Sequence, residues 1–195
     1  MGMPRITAGQ FRGRPLVTPS GRQTRPTSDK ARQAVFNILM HAPWSPFADG
    51  ARPRTIDLFA GSGALGFEAL SRGASFCLFV ETEASARGVI RDNIEAFGAF
   101  GITRLHRRDA TALGPKPAGM GAAYDLVFLD PPYQKNLLPP ALHSLHTGGW
   151  LAPGAIVVLE LSSDEDLILA PPYEELDKRS YGAAQVVFAR YAADH

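Results

Sequence analysis

A single cysteine, Cys77, stands in the 195-residue chain, so an internal disulfide and a multi-cysteine zinc site are both excluded. No stretch approaches the ~18 consecutive apolar residues that a membrane-spanning helix needs. The opening Met1-Gly-Met-Pro-Arg-Ile-Thr lacks an apolar core region, which reads as a chain without a secretory signal. Internal repeats and low-complexity tracts are missing as well. What is present is ordinary for a globular protein, with 45% hydrophobic and 20% charged residues. The length suffices to bury a substantial core without metal or disulfide. The expectation is a soluble, cytoplasmic, monomeric protein with no membrane partner and no bound metal.

The formal net charge of +1 hides an uneven distribution. Residues 1–54 carry nine basic side chains against two acidic ones, Asp29 and Asp49, and eight of the nine are Arg. The acidic residues are concentrated in the remainder. Such asymmetry suggests a polyanion partner for the basic end. Arg suits phosphate because its fork is rigid and bidentate. A solvated charged face is the alternative.

Two short segments flanking Gly9 to Gly13 predict a hairpin. Residues 19–26 form a loop. Thr27 or Ser28 can cap a helix to about Leu39, with Ala31, Ala34, Val35, Ile38 and Leu39 on one apolar face. Residues 42–53, with three prolines, read as a linker. Strands and helices then alternate. Strands are predicted at 55–59, 76–80, 103–106, 124–129 and 155–159, with helices at 64–71, 83–97 and 137–146. Residues 111–123, broken by Pro115 and Pro117, read as a loop or poor helix. Residues 176–180 and 185–191 form a closing strand pair joined near Gly182. Apolar strands separated by helices predict a mostly parallel sheet covered on both faces, and the closing pair supplies an antiparallel edge.

Two motifs carry chemistry. Asp57-Leu-Phe-Ala-Gly61-Ser-Gly63-Ala-Leu-Gly66 follows a strand and opens a helix, and its glycines permit a tight turn and close approach of a ligand. Glu81, at the end of the next strand, can accept hydrogen bonds from ribose hydroxyls. Asp57 argues against a pyrophosphate, which it would repel. A carboxylate there suits an ammonium-bearing ligand, and S-adenosylmethionine has an ammonium, a ribose and no phosphate. The second motif is Asp130-Pro131-Pro132-Tyr133, directly after a strand. Its prolines stiffen the backbone and remove N–H donors. A carboxylate and a carbonyl presented together match the two hydrogens of an exocyclic amino group, and the aromatic ring can stack on a base. Such a site works by orientation and electrostatics.

Taken with Asp109-Ala110, these segments resemble S-adenosylmethionine-dependent amino methyltransferases. More narrowly, the chain is similar to the RsmD family of bacterial 16S rRNA guanine-N2 methyltransferases that modify guanine 966. The resemblance runs through Arg5–Arg14, Arg25–Arg32, Phe36-Asn37, Asp57–Gly66, Glu68–Ala74, Asp130–Tyr133, Gly149–Leu151 and Tyr181-Gly182. It implies a Rossmann-like class I methyltransferase fold with a seven-stranded sheet, residues 54–195, and a basic RNA-binding hairpin and helix, residues 1–53. It implies that Asp57, Phe59, Gly61, Gly63, Glu81, Asp109 and Ala110 bind S-adenosylmethionine. Asp130 and the Pro131 carbonyl would hold guanine N2, and Tyr133 would stack on the extruded base. Arg5, Arg12, Arg14 and Arg25 would grip phosphates of 16S rRNA or the small subunit.

A DNA adenine-N6 methyltransferase is the second reading, but such enzymes usually carry a separate target-recognition region for which this chain has little room. A protein-glutamine enzyme would more typically show Asn at position 130. A non-catalytic RNA-binding assembly factor is the third reading, and Asp57, Glu81 and Asp130 argue against it. His143 and His146 lack the partners of a metal site. Cys77, Trp44 and Trp150 read as packing residues, and Asp164-Glu165-Asp166 and Glu174-Glu175 as solvated surface.

Overall fold

The computed structural model describes residues 3–19, 29–133 and 135–193. Its centre is a seven-stranded sheet in the order β3-β2-β1-β4-β5-β7-β6. The strands are β1 (Arg54–Leu58), β2 (Phe76–Val80), β3 (Thr103–His106), β4 (Tyr124–Leu129), β5 (Leu151–Ser162), β6 (Tyr173–Tyr181) and β7 (Ala184–Tyr191). β1 to β5 pair in parallel, while β7 runs antiparallel to both β5 and β6. This is the mostly parallel sheet with an antiparallel edge that the sequence predicts. The helices are α1 (Asp29–His41), α2 (Ala64–Ser71), α3 (Ala84–Phe97) and α4 (Leu138–Thr147).

Alternate strand residues point to opposite faces, and two apolar layers result. One layer joins Phe79, Phe128, Val158 and Phe188 of the sheet to Val35, Phe36 and Leu39 of α1, Phe67 of α2 and Ile90 and Ile94 of α3. The other joins Ile56, Leu58, Val127 and Leu159 to Leu142 and Leu145 of α4 and to Trp150. Trp150 is a packing residue whose indole N–H donates to the Gly114 carbonyl at 2.8 Å. Trp44 packs on Phe188 with ring centroids 5.4 Å apart. Cys77 is fully buried.

The amino-terminal hairpin is short, its arms meeting at one antiparallel bridge between Arg5 and Pro15. The arms are joined by Ile6 N–H to Arg14 O at 3.0 Å, Gly13 N–H to Ile6 O at 2.8 Å and Leu16 N–H to Pro4 O at 2.8 Å. Ile6, Phe11 and Leu16 anchor the segment in the first apolar layer. Glu68 of α2 fixes it with charge. This wholly buried carboxylate pairs with Arg32 at 3.2 Å and Arg72 at 2.9 Å, and accepts from the Thr7 backbone N–H at 3.0 Å and the Thr7 hydroxyl. Arg32, counted above with the basic end, is therefore a core cation. The capping residues Thr27 and Ser28 lie outside the described residues.

The predicted strand 155–159 is the middle of a twelve-residue strand. Its early part crosses Pro153-Gly154, whose turn-like composition concealed it, and the register with β4 shifts there. Residues 111–123 hold two short 3-10 turns, Ala110–Ala112 and Ala118–Met120.

Candidate active site

Parallel strands bring their carboxyl ends to one edge, and β1 and β4 are neighbours although two helices and two strands separate them in the chain. This switch point is where open sheets of this kind form a ligand crevice. Asp57 lies at the end of β1, Glu81 just after β2, Asp109 after β3 and Asp130 just after β4. The fold thus gathers at one edge the acidic residues that the sequence singles out. Pro131 is buried and Tyr133 half-buried beside Asp130.

After β1 the chain turns sharply. Phe59 adopts φ 56°, in the left-handed region rarely occupied by a non-glycine residue, and Gly61 and Gly63 follow at 58° and 80°. The glycines serve different ends. A Cβ at Gly61 would meet no atom closer than 4.0 Å, so that side of the loop is open. At Gly63 it would lie 2.8 Å from Phe67, and at Gly66 2.4 Å from Phe79 and 2.6 Å from the Cys77 sulfur. Gly66 therefore lets α2 pack onto β2.

Glu81 is held as a rigid acceptor. One carboxylate oxygen accepts from Gly61 N–H at 2.9 Å and the other from Glu83 N–H at 2.9 Å. Each oxygen has a further lone pair for a ligand hydroxyl. Asp57 is buried and accepts from Gly66 N–H at 3.0 Å, so it braces the start of α2 as well as charging the loop. Asp109 is exposed and accepts from the Thr111 N–H at 2.8 Å and hydroxyl at 2.7 Å through one oxygen. Ala110 beside it is buried.

Asn93 and Glu160 were missed by sequence reasoning. Asn93, wholly buried in α3, donates to the carbonyls of Ser62 and Val17, both at 3.1 Å, and accepts from Val17 N–H at 2.9 Å. It ties the glycine loop to the amino-terminal segment. Glu160 of β5 is half-buried and accepts from the Tyr133 hydroxyl at 3.0 Å. Leu129 pairs with Leu159, so the positions that follow, Asp130 and Glu160, emerge side by side. No sequence motif marks Glu160, and the Tyr133 hydroxyl that it accepts from lies 27 residues away in the chain.

Crowded carboxylates under burial hold their protons more tightly. Burial pushes Asp57 up to about 8, opposed by the Gly66 N–H and reinforced by Glu81. Burial, then the charges of Glu160 and Asp57, raises Asp130 well above the usual carboxylate range. The folded state thus binds protons that the unfolded chain releases. The associated stability is fully present below the ordinary carboxylate pKa of ~3.9 and is lost as pH rises through about 8. Thermal melts of the unliganded protein are expected to fall from pH 5 to pH 9, and Asp57→Asn to flatten the slope. An unchanged slope in that variant would exclude Asp57 as its source.

Beside Asp130 opens a cavity of about 200 Å³, lined by Pro131, Tyr133, Asn136, Leu138, Glu160 and Asp166 among others. The Asp164–Asp166 turn, read above as solvated surface, thus reaches the site. His146 contacts the Tyr191 hydroxyl at 2.7 Å, and no cluster of three or more potential metal ligands occurs among the described residues. No helix among the described residues is long and apolar enough to cross a membrane.

Of the predicted phosphate-binding residues, Arg5, Arg12 and Arg14 are exposed. Arg5 donates to the Gly13 carbonyl at 2.7 Å. Arg14 donates to the Ala96 carbonyl and lies over the rings of Phe11 and Phe97 at 5.7 and 5.0 Å. Arg25 lies outside the described residues.

Comparison with known proteins covers nearly the whole chain. A family model described as conserved hypothetical protein 95 matches residues 4–190. The Escherichia coli K12 protein named ribosomal RNA small subunit methyltransferase D is 33% identical over 190 residues, 97% of this chain and 90% of that protein. The Haemophilus influenzae protein of the same name is 32% identical over 181 residues, 93% of this chain and 90% of that one. Among solved structures, the Escherichia coli protein yhhF superposes with a TM-score of 0.80 at 30% identity, covering 99% of this chain and all of that one.

Proposed function

The chain belongs to the RsmD family, that of conserved hypothetical protein 95, and from this premise we propose that it transfers a methyl group from S-adenosylmethionine to N2 of a guanine, position 966, in 16S rRNA. Relatives of that family named for methylation of small-subunit rRNA support the substrate class. The observation that carries the chemistry is the Asp130–Tyr133 turn at the end of β4, beside the acidic edge formed by Asp57 and Glu81.

The residues fit that donor. Asp57 and Asp130 are desolvated carboxyls that gain from a cationic neighbour, and Glu81 presents fixed lone pairs to a ribose diol. A polyphosphate ligand would be repelled by the same groups. Phe59, Gly61 and Gly63 would shape the cradle for the methionine part, and Asp109 and Ala110 would meet the adenine. Bound there, S-adenosylmethionine supplies a methyl group on a positively charged sulfur.

The amino nitrogen of guanine is a weak nucleophile because its lone pair is delocalised into the ring. Asp130 and the Pro131 carbonyl would accept its two hydrogens and aim the lone pair at the methyl carbon. The methyl group would come from the donor's sulfur, and the methylated nitrogen would be cationic and would have to shed a proton. Asp130 would be ionised beside the donor's cationic sulfur, which opposes the burial and the Glu160 and Asp57 charges that raise it, and would then be the proton acceptor at hand. Tyr133 would stack on the base. Extruding that base costs a few kcal/mol, less where it is already unpaired.

The segment 1–53 would serve as the RNA-binding extension, with Arg5, Arg12, Arg14 and Arg25 on phosphates. Arg12→Ala is expected to weaken RNA binding and reduce the salt slope by about one. Filter binding over a salt series checks this, and an unchanged slope would remove Arg12 from the interface. The function itself is tested by nucleoside analysis of 16S rRNA from cells lacking the gene. One N2-methylguanosine is expected to disappear and to return with the wild-type gene, whereas an unchanged nucleoside content would refute the assignment.

A further inference from the structure

We propose that Glu160 selects guanine by accepting its N1–H, completing a three-acceptor site with Asp130 and the Pro131 carbonyl. This inference rests on the function proposed above and assigns a role to a residue outside the glycine loop and the Asp-Pro-Pro-Tyr turn.

Geometry is the first support. Parallel pairing of Leu129 with Leu159 sets Asp130 and Glu160 next to each other at the ends of adjacent strands. Neighbouring strands lie ~4.8 Å apart, a spacing that suits two adjacent hydrogen-bonding groups on one base edge. Glu160 and Pro131 both line the cavity beside Asp130, and so does Tyr133. The Tyr133 hydroxyl donates to one Glu160 oxygen at 3.0 Å, which fixes the direction in which the carboxylate is presented.

Chemical complementarity is the second. The amino edge of guanine offers three hydrogens in a row, two on N2 and one on N1. Asp130, the Pro131 carbonyl and Glu160 supply three acceptors. Adenine offers only the two hydrogens of its amino group beside N1, which carries a lone pair, and cytosine likewise presents a bare ring nitrogen beside its amino group. With either base, the third acceptor would face a lone pair. Buried polar groups left unpaired in this way discriminate strongly between bases of similar size. Glu160 would thus act on specificity, while Asp130 acts on the reacting nitrogen.

The test uses small subunits reconstituted on ligated 16S rRNA with guanine or 2-aminopurine at the methylated position. 2-Aminopurine keeps the target amino group and replaces N1–H by a lone pair. The wild-type protein is expected to prefer guanine in kcat/KM by about 10- to 100-fold. Glu160→Gln, whose amide can either accept or donate, is expected to narrow that preference by at least about tenfold. Retained affinity for S-adenosylmethionine shows that the variant is folded. Tyr133→Phe keeps the ring but frees Glu160 from its hydroxyl donor, and should narrow the preference in part.

Equal wild-type rates on the two bases, or undiminished discrimination in folded Glu160→Gln, would overturn the role of Glu160 and leave the methyltransferase reading standing. No methylation of guanine by the wild-type protein would overturn that reading, and this inference with it.

Discussion

Asp130→Ala is expected to lower kcat for methyl transfer by about 10³-fold while changing the affinity for S-adenosylmethionine by less than about threefold. Loss of a single preorganised group at the reacting atom typically costs 10²–10³-fold, and Asp130 would serve twice, as acceptor from N2 and as proton acceptor. Donor affinity should survive because Glu81 and Asp57 keep their backbone partners, Gly61, Glu83 and Gly66, none of which depends on Asp130. Asp130→Asn retains one carbonyl oxygen, so its defect should be smaller. The alanine variant should also be the more stable protein without ligand, because it removes a carboxyl crowded by burial, Glu160 and Asp57. Lower activity joined to a higher melting temperature separates a functional cost from a folding defect. Kinetics and thermal melts on the same preparation check both, and a normal kcat would refute the chemistry assigned to the turn.

Glu68→Ala is expected to cost about 3–5 kcal/mol of stability, because it leaves buried cations without their shared partner. Arg32 would keep Asp29, at 2.8 Å, as its one carboxylate beside the Arg5 carbonyl, and Arg72 would lose its carboxylate at 2.9 Å and keep the Thr7 hydroxyl. For a domain of this size the melting temperature should fall by on the order of 10 °C. The same change removes the acceptor for Thr7 N–H and hydroxyl and for Ala8 N–H. The segment bearing Arg5, Arg12 and Arg14 would then be held by Ile6, Phe11 and Leu16 and by its hydrogen bonds to Leu70, Ser71 and Asn93. RNA affinity should fall further than donor affinity, since Glu81 and Asp109 lie outside this network. Denaturant unfolding together with both binding measurements checks the prediction. A loss of stability below about 1 kcal/mol would mean that the ion network contributes little beyond an exposed pair.

The two variants also mark what a sequence can disclose. Helix Ala64–Ser71 and strands Phe76–Val80, Thr103–His106 and Tyr124–Leu129 have the limits expected from their apolar pattern, because turns or glycines bound them sharply. Asp57, Glu81 and Asp130 were legible because each sits at or just beyond a strand end, and parallel pairing brings those ends together, whereas Asp109 came only from the family resemblance. Glu68 and Glu160 were not. Each lies inside an element, and the contacts that give it its role reach across the fold: Thr7 is 61 residues from Glu68, whose i,i+4 pairing with Arg72 has the spacing of an ordinary helix-surface pair, and Tyr133 is 27 residues from Glu160. Arg32 shows the limit of composition, since a cation that adds to the charge of the basic segment is buried in an ion pair. Strand β5 was shortened for a similar reason. Pro153-Gly154 has the composition of a turn, while pairing with β4 resumes on both sides of it.

Methyl transfer from labelled S-adenosylmethionine to small subunits purified from cells lacking this protein, followed by nucleoside analysis, tests the central claim most directly. Label confined to N2-methylguanosine at one site of 16S rRNA is the expected result, and it would establish donor, target atom and substrate together. Label on adenosine, or transfer to DNA or protein offered in parallel without transfer to the subunits, would contradict the account.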